Sequence, residues 1–200
     1  MRAHGPILAA AALVGVCLGG CTGTPYPATP RAAKPAATAT AGPKGEKPVL
    51  LGRITRQQVE TAVPEWVQTE VESTPDRAAE QSLATVAPQA EVTVYLGTWC
   101  SDSRREVSRL WRVLDDLGGT VPFEISYIGV DREKKEPADL VAGSGLRFVP
   151  TLIVRRGGRE VGRIVESSPH GVEQDLLALL TGSAQGLVTG KEELLQGQKP

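Results

Sequence analysis

Near the middle of the chain the spacing of apolar positions changes from that of a strand to that of a helix. A run of β-branched and aromatic residues, Val92 to Tyr95, stops at Gly97, and from there the apolar positions fall at Val107, Leu110, Trp111, Leu114 and Leu117. The period moves from two to about 3.6, so a strand hands over to a helix that Gly118-Gly119 ends. Downstream, Phe123 to Val130 predicts a second strand and Glu136 to Ala142 a weaker helix. Thr151 to Arg155 and Glu160 to Val165 predict two strands joined by the tight turn Gly157-Gly158, and Val172 to Leu180 a helix closed by Gly182. The order β-α-β-α-β-β-α supplies helices to both faces of a central mixed sheet, an α/β fold.

Two helices are expected ahead of this core as an N-terminal helical extension, Thr55 to Ala62 and Pro75 to Ala87. The second takes Thr74 as N-cap and Pro75 at its first helical position, where the missing N–H costs nothing. Trp66 has two readings, an anchor for this extension or part of a groove at the site. Packing is the expected one, because an indole contributes large buried area wherever it sits.

The two ends read differently. Arg2 followed by the apolar run Ile7 to Leu18 has the form of a signal peptide, too short to span a bilayer. Leu18-Gly19-Gly20-Cys21 resembles a bacterial lipobox, in which Cys21 is lipid-modified and becomes the mature N-terminus. The plainer reading is an ordinary signal peptide that leaves Cys21 free. Thr22 to Pro48 is rich in Pro, Ala, Thr and Gly and has too little apolar surface to order itself. As a flexible linker it would reach about 30 Å. The expected organisation is therefore a signal peptide with lipobox over 1–20, lipidated Cys21 and linker over 21–50, a domain over 51–182 and a tail over 183–200. In the tail only a short helix at Lys191 to Leu195 is suggested.

A formal net charge of −1 with interspersed signs gives no electrostatic footprint for nucleic acid. Of the three cysteines, Cys17 and Cys21 lie in the export segment, so the domain holds the single thiol Cys100 and no internal disulfide. The two histidines, His4 and His170, are far apart, and no His/Cys spacing suits a metal. No metal and no other cofactor are expected.

Cys100 stands where a strand meets the first turn of a helix, so unpaired backbone N–H groups and the positive end of the helix dipole converge on its sulfur and favour thiolate. A cysteine that only fills a core would sit on the apolar spacing of its element, whereas this one occupies a Gly-Thr-Trp-Cys turn followed by Ser, Asp, Ser and two arginines. Arg104 and Arg105 act in the same direction as the helix terminus, and Asp102 against it. Arg104, Arg105, Arg109 and Arg112 fall mainly opposite the apolar stripe and read as a solvated face. Asp131, Arg132 and Lys134 either line the end of the sheet that carries Cys100 or form a solvated loop, the expected reading being the loop.

Trp99-Cys100 at the strand-to-helix junction, Val149-Pro150-Thr151 and the Gly157-Gly158 hairpin resemble the thioredoxin superfamily. More narrowly, GTWCSDSRREV, VDREK, VPT and GRIVE resemble a group of bacterial exported thioredoxin-like proteins, over roughly Ile54 to Leu180. The resemblance implies a thioredoxin-like fold, a nucleophilic Cys100, an indole of Trp99 beside its sulfur and a cis Pro150 facing it. The Val149 backbone would then pair with an extended substrate segment crossing Cys100, and Thr151 would open the next strand. The usual C-x-x-C is Cys100-Ser101-Asp102-Ser103 here, a monothiol motif of the form GTWCxDS. The acid that many thioredoxins bury six residues before the nucleophile is Val94.

Ser103 lies one helical turn after Cys100, so its hydroxyl is expected to point at the sulfur as a hydrogen-bonding partner that cannot form a disulfide. Cys100 and Ser103 are thus the expected catalytic pair, with Trp99, Asp102, Val149, Pro150 and Thr151 binding substrate. The expected function is thiol–disulfide exchange through a mixed disulfide at Cys100, as an oxidoreductase or isomerase lacking a resolving cysteine. Its partners are protein thiols or disulfides or a small thiol, with an external reductant or resolving thiol for release. The expected location is the cell envelope, lipid-anchored and facing the periplasm or outer surface. The alternative from another class is a redox-inactive thioredoxin-fold module that binds a peptide or protein in the groove beside Pro150. A peroxide-reacting thiol is weaker, because Gly97 stands where a Thr-x-x-Cys setting needs threonine.

Overall fold

The structure, a computed structural model, describes residues 38–40 and 47–196, all within one unit spanning 34–200. Cys21, the lipobox and most of the linker lie outside the described residues. The chain forms a mixed α/β fold. Its strands are β1 (Thr38–Thr40), β2 (Val49–Ile54), β3 (Ala90–Leu96), β4 (Glu124–Gly129), β5 (Thr151–Arg156), β6 (Arg159–Val165) and β7 (Gly186–Val188). They lie in the order β1-β2-β4-β3-β5-β6-β7, with β3 parallel to β4, β6 parallel to β7, and the other neighbours antiparallel.

The helices are α1 (Arg56–Ala62), α2 (Glu65–Glu72), α3 (Arg77–Leu83), α4 (Ser101–Asp116), α5 (Ala138–Val141), α6 (Val172–Thr181) and α7 (Glu192–Gln196). The period change at Gly97 becomes β3 followed by α4, and the Gly157-Gly158 turn joins β5 to β6. β3 is central, hydrogen-bonded on both sides, and correspondingly apolar on both faces. One face of the sheet holds the larger core, with Leu50, Val94, Leu152 and Ile164 packed against Leu110 and Trp111 of α4 and Leu176 of α6. The other holds a smaller cluster of Tyr95, Ile128, Val130, Val149 and Ile153, joined by Trp99, Cys100 and Leu140 of α5.

Several expectations need correction. β2 was not anticipated; Gly52 and Arg53 interrupt its pattern, and together with β1 it places strands inside the segment read as linker. α2 was also missed, although it carries Trp66, which is fully buried 5.5 Å from Trp111, ring centre to ring centre, and not in the groove. α3 starts at Arg77, not Pro75. Its N-cap is Asp76, whose carboxylate accepts the Ala79 N–H at 2.8 Å and displaces Thr74 from that role. The tail is not a free appendage, since β7 extends the sheet beside β6. Gly162 makes that approach feasible, because a Cβ there would meet the Gly186 carbonyl oxygen at 2.6 Å.

Nor is the arginine face of α4 merely solvated. Arg109 forms a two-pronged ion pair, 2.8 and 2.7 Å, with Glu173 of α6, and the same carboxylate accepts the Asp76 N–H at 2.9 Å. Glu173 is fully buried. Burial pushes its carboxyl up, but Arg109 and the Asp76 N–H more than offset this and hold it below the usual range. This tie fastens α3, α4 and α6 together.

A second tie is balanced the other way. Arg56 of α1 donates to Glu70 of α2 at 2.7 Å and to Asp115 of α4 at 2.7 and 2.9 Å, while its guanidinium carbon sits 5.4 Å from the centre of the Trp111 ring. Glu70 is buried with Oε2 unpartnered among the described residues. Burial outweighs the shared guanidinium and pushes its carboxyl up to about 7. An unfolded glutamate titrates near roughly 4.3, so the folded protein binds this proton more tightly. The stabilisation is therefore full below about pH 4 and fades as pH rises through about 7. Urea unfolding at roughly pH 5 and pH 8 should show a loss of stability that Glu70→Gln reduces; equal losses in both proteins would contradict this assignment.

Candidate functional site

Antiparallel pairing of β3 with β5 sets Tyr95 opposite Thr151. The loop that leaves β3 and the loop that enters β5 therefore lie side by side at one end of the sheet. In the first, the Cys100 N–H closes a turn onto Gly97 O at 2.9 Å, and Cys100 is the N-cap of α4 with its backbone in the extended region. Its half-buried sulfur accepts the Ser103 N–H at 3.5 Å and lies 3.3 Å from Val149 O, to which the thiol donates. In the second loop the Val149–Pro150 peptide is cis. The Pro150 carbonyl accepts the Glu166 N–H at 2.8 Å, and Thr151 turns its hydroxyl onto Phe148 O at 2.8 Å. Among the described residues the Val149 N–H has no hydrogen-bond partner.

Ser103 departs from expectation. Its side chain is fully buried, and its hydroxyl accepts the Gly97 N–H at 3.2 Å instead of bonding to the sulfur. The backbone N–H of Ser103, not its side chain, supports Cys100. The hydroxyl fixes the turn, since the chain leaving β3 would otherwise carry an unpaired buried donor. Thr98 holds the same loop to β2 by accepting the Leu50 N–H at 3.3 Å and donating to Pro48 O.

Trp99 packs across Gly97 and donates its indole N–H to Val130 O at 3.3 Å. The Arg132 guanidinium carbon is 5.3 Å and the Lys134 nitrogen 6.0 Å from its ring centre. The loop expected to be solvated thus reaches the site. Asp102 bonds Arg105 at 2.7 Å and approaches Lys191 at 3.7 Å. Cys100, Trp99, Val149 and Pro150 are brought together, while Ser103, Asp102 and Thr151 serve the framework around them.

Three features escaped the sequence reading. Glu166 follows β6 with a positive φ of 60° and donates its N–H to the Pro150 carbonyl. Burial pushes its carboxyl up, with Lys191 opposing and Asp102 adding to the rise. Lys191 belongs to the tail, whose Gly190 N–H bonds Ser167 O at 2.8 Å. Beside Thr151 and Val165 a cavity of about 310 Å³ is lined by Phe148, Leu187 and Leu194, with Arg147 and Glu193 at its edges. The break from β-pattern to Glu-Ser-Ser-Pro after Val165 was the only local signal of this end. Among the described residues no cluster of three metal-ligating side chains occurs, and no helix is long and apolar enough to cross a membrane.

No protein-family model and no curated protein matches the chain. Among solved structures it is similar to a protein of unknown function from Pseudomonas aeruginosa and to an HIV epitope scaffold. Each shares 17% identity and a TM-score of 0.46, over 65% of this chain and 88% of the other. Neither likeness assigns an activity.

Gly97 is the position where geometry and site meet most tightly, since a Cβ there would stand 2.6 Å from the Trp99 ring. Gly97→Ala should push the indole out, break its bond to Val130 and cost roughly 1–3 kcal/mol. Trp66 and Trp111 are buried, so acrylamide quenching of fluorescence reads Trp99. Unchanged quenching and stability would contradict this packing.

Proposed function

We propose that this protein is an extracytoplasmic, membrane-tethered thioredoxin-like protein that performs thiol–disulfide exchange as a monothiol at Cys100. The observation that carries the proposal is the setting of the sulfur: half-buried, at the N-cap of a sixteen-residue helix and 3.3 Å from the carbonyl of Val149. The strand order β4-β3-β5-β6, the position of α4 after β3 and the cis Pro150 support the thioredoxin-like reading. The tether and the export rest on the Leu-Gly-Gly-Cys21 sequence.

The Cys100 thiolate attacks one sulfur of the partner's disulfide, forming the Cys100–partner bond as the other sulfur leaves as a thiolate. With serine at position 103 no internal thiol follows, so an external thiol completes the cycle by attacking the mixed disulfide and restoring free Cys100. In this reading an extended segment of the partner pairs with the Val149 backbone beside the thiol. Trp99 supplies an apolar wall.

A second reading has one specific observation in its favour. The Ser103 hydroxyl is committed to Gly97, so the resolving position serves structure alone, as in a redox-inactive module that holds a partner beside Pro150. The two readings separate in one experiment on the full chain bearing Cys17→Ser and Cys21→Ser, with and without Cys100→Ser. Exchange chemistry predicts adducts with protein disulfides that run as reducible bands and vanish with Cys100→Ser. Partner binding that survives Cys100→Ser, with no adduct in either protein, favours the module.

A further inference from the structure

The loop after β4 holds two cations against the indole beside Cys100, and packing alone does not call for them. The Asp131 carboxylate accepts the N–H groups of Lys135 at 2.7 Å and Glu136 at 2.8 Å, and Asp131 exchanges further backbone bonds with Glu136 and Lys134. Lys134 adopts a positive φ of 57°, a conformation that L side chains rarely take, so the loop has one shape. That shape sets the Arg132 guanidinium and the Lys134 ammonium 5.3 and 6.0 Å from the centre of the Trp99 ring. Each contact is favourable by itself, but two like charges on one ring repel each other.

Neither cation is held in a direct ion pair, although the Lys134 charge acts at longer range on Glu166. Of the acids beside them in sequence, Asp131 is occupied by backbone N–H groups, and Glu133, which stands between the two cations, forms no salt bridge with either among the described residues. Among the described residues neither Arg132 nor Lys134 forms a salt bridge, whereas Arg105, Arg109, Arg112 and Arg163 each hold a carboxylate. The acids on the β6 side are themselves answered by cations: Asp102 is bound to Arg105 and near Lys191, and Glu166 feels Lys191 and Lys134. Trp99, next to Cys100 in the chain, thus carries two cations free of direct ion pairs, whereas Asp102 of the first turn of α4 is already paired with Arg105.

We infer that Trp99, Arg132 and Lys134 form a specificity subsite that selects, as exchange partner of Cys100, an extended polypeptide segment with an acidic residue beside its cysteine. This rests on the exchange reading above. In that reading the Val149 backbone pairs with the extended segment, the indole offers a flat apolar surface, and the guanidinium and ammonium supply donors for a carboxylate.

The test uses the full chain with Cys17→Ser and Cys21→Ser, and short peptides whose one cysteine is carried as a 2-pyridyl disulfide. Cys100 attacks the peptide sulfur, a Cys100–peptide disulfide forms, and the pyridyl sulfur leaves with the electron pair of the broken bond and takes up a proton as 2-thiopyridone. Its absorbance gives the rate. A peptide with glutamate flanking cysteine should react about tenfold faster than its lysine counterpart at low salt, with alanine between them. The spread should collapse at about 1 M salt, where screening acts over about 3 Å. Arg132→Glu with Lys134→Glu should reverse the order, and Arg132→Gln with Lys134→Gln should bring the ratio near one. Equal rates for the three peptides, or an unchanged order in the charge-reversed protein, would overturn the inference. A glutathione 2-pyridyl disulfide that outpaces the acidic peptide would overturn its polypeptide part. Failure of every probe to react with Cys100 would remove the exchange reading itself, and the subsite with it.

Discussion

Antiparallel pairing of β3 with β5 is the constraint on which the rest of the site depends. Once Tyr95 faces Thr151, the chain leaving β3 and the chain entering β5 must meet at the same end of the sheet. The N-cap position of α4 then falls against the Val149–Pro150 turn. The contact between the Cys100 sulfur and Val149 O is a consequence of register, and a one-residue slip would send Val149 to the opposite face. Ser103 and Thr98 secure the arrangement from inside, each answering a backbone N–H that would otherwise be buried unpaired.

The helices around this sheet are held by polar ties of opposite character. Glu173 is buried but answered, by a guanidinium on two sides and by the Asp76 N–H. Glu70 is buried and answered only in part, because Arg56 is shared with Glu60 and Asp115. The first arrangement keeps a charge in the interior and the second favours a proton there. Both join the N-terminal helices to α4, so the element that ends at Cys100 is anchored along much of its length.

The sequence made legible what local pattern encodes. The period change at Gly97, the glycine turn between β5 and β6 and the leucine-rich α6 all depend on neighbours within a few residues, and they appear where expected. What stayed hidden depends on partners far along the chain. The role of Arg109 is set by Glu173, 64 residues away, and the hydroxyl of Ser103, though only six residues from Gly97, turns there because the β3 exit turn needs an acceptor. β2, whose pattern Gly52 interrupts, and β7, a three-residue strand at the sheet edge that opens on Gly186, are defined by what they pair with. Arg132 and Lys134 read as solvated because nothing local shows that Asp131 folds their loop back over Trp99.

The site's charges follow the same logic of position over identity. The two cations at Trp99 are not visible as a run of like charge: Glu133 separates them in sequence, and one loop brings both onto the ring. The proposed chemistry needs Cys100 to be reached without unfolding. Alkylation of Cys100 in the full chain, with Cys17→Ser and Cys21→Ser, against denaturant below the unfolding transition tests this most directly. The account predicts a rate that stays flat across that range, because the thiol is open in the native state. A rate that is negligible in the native protein and rises only with global unfolding would make Cys100 a structural thiol and contradict the account.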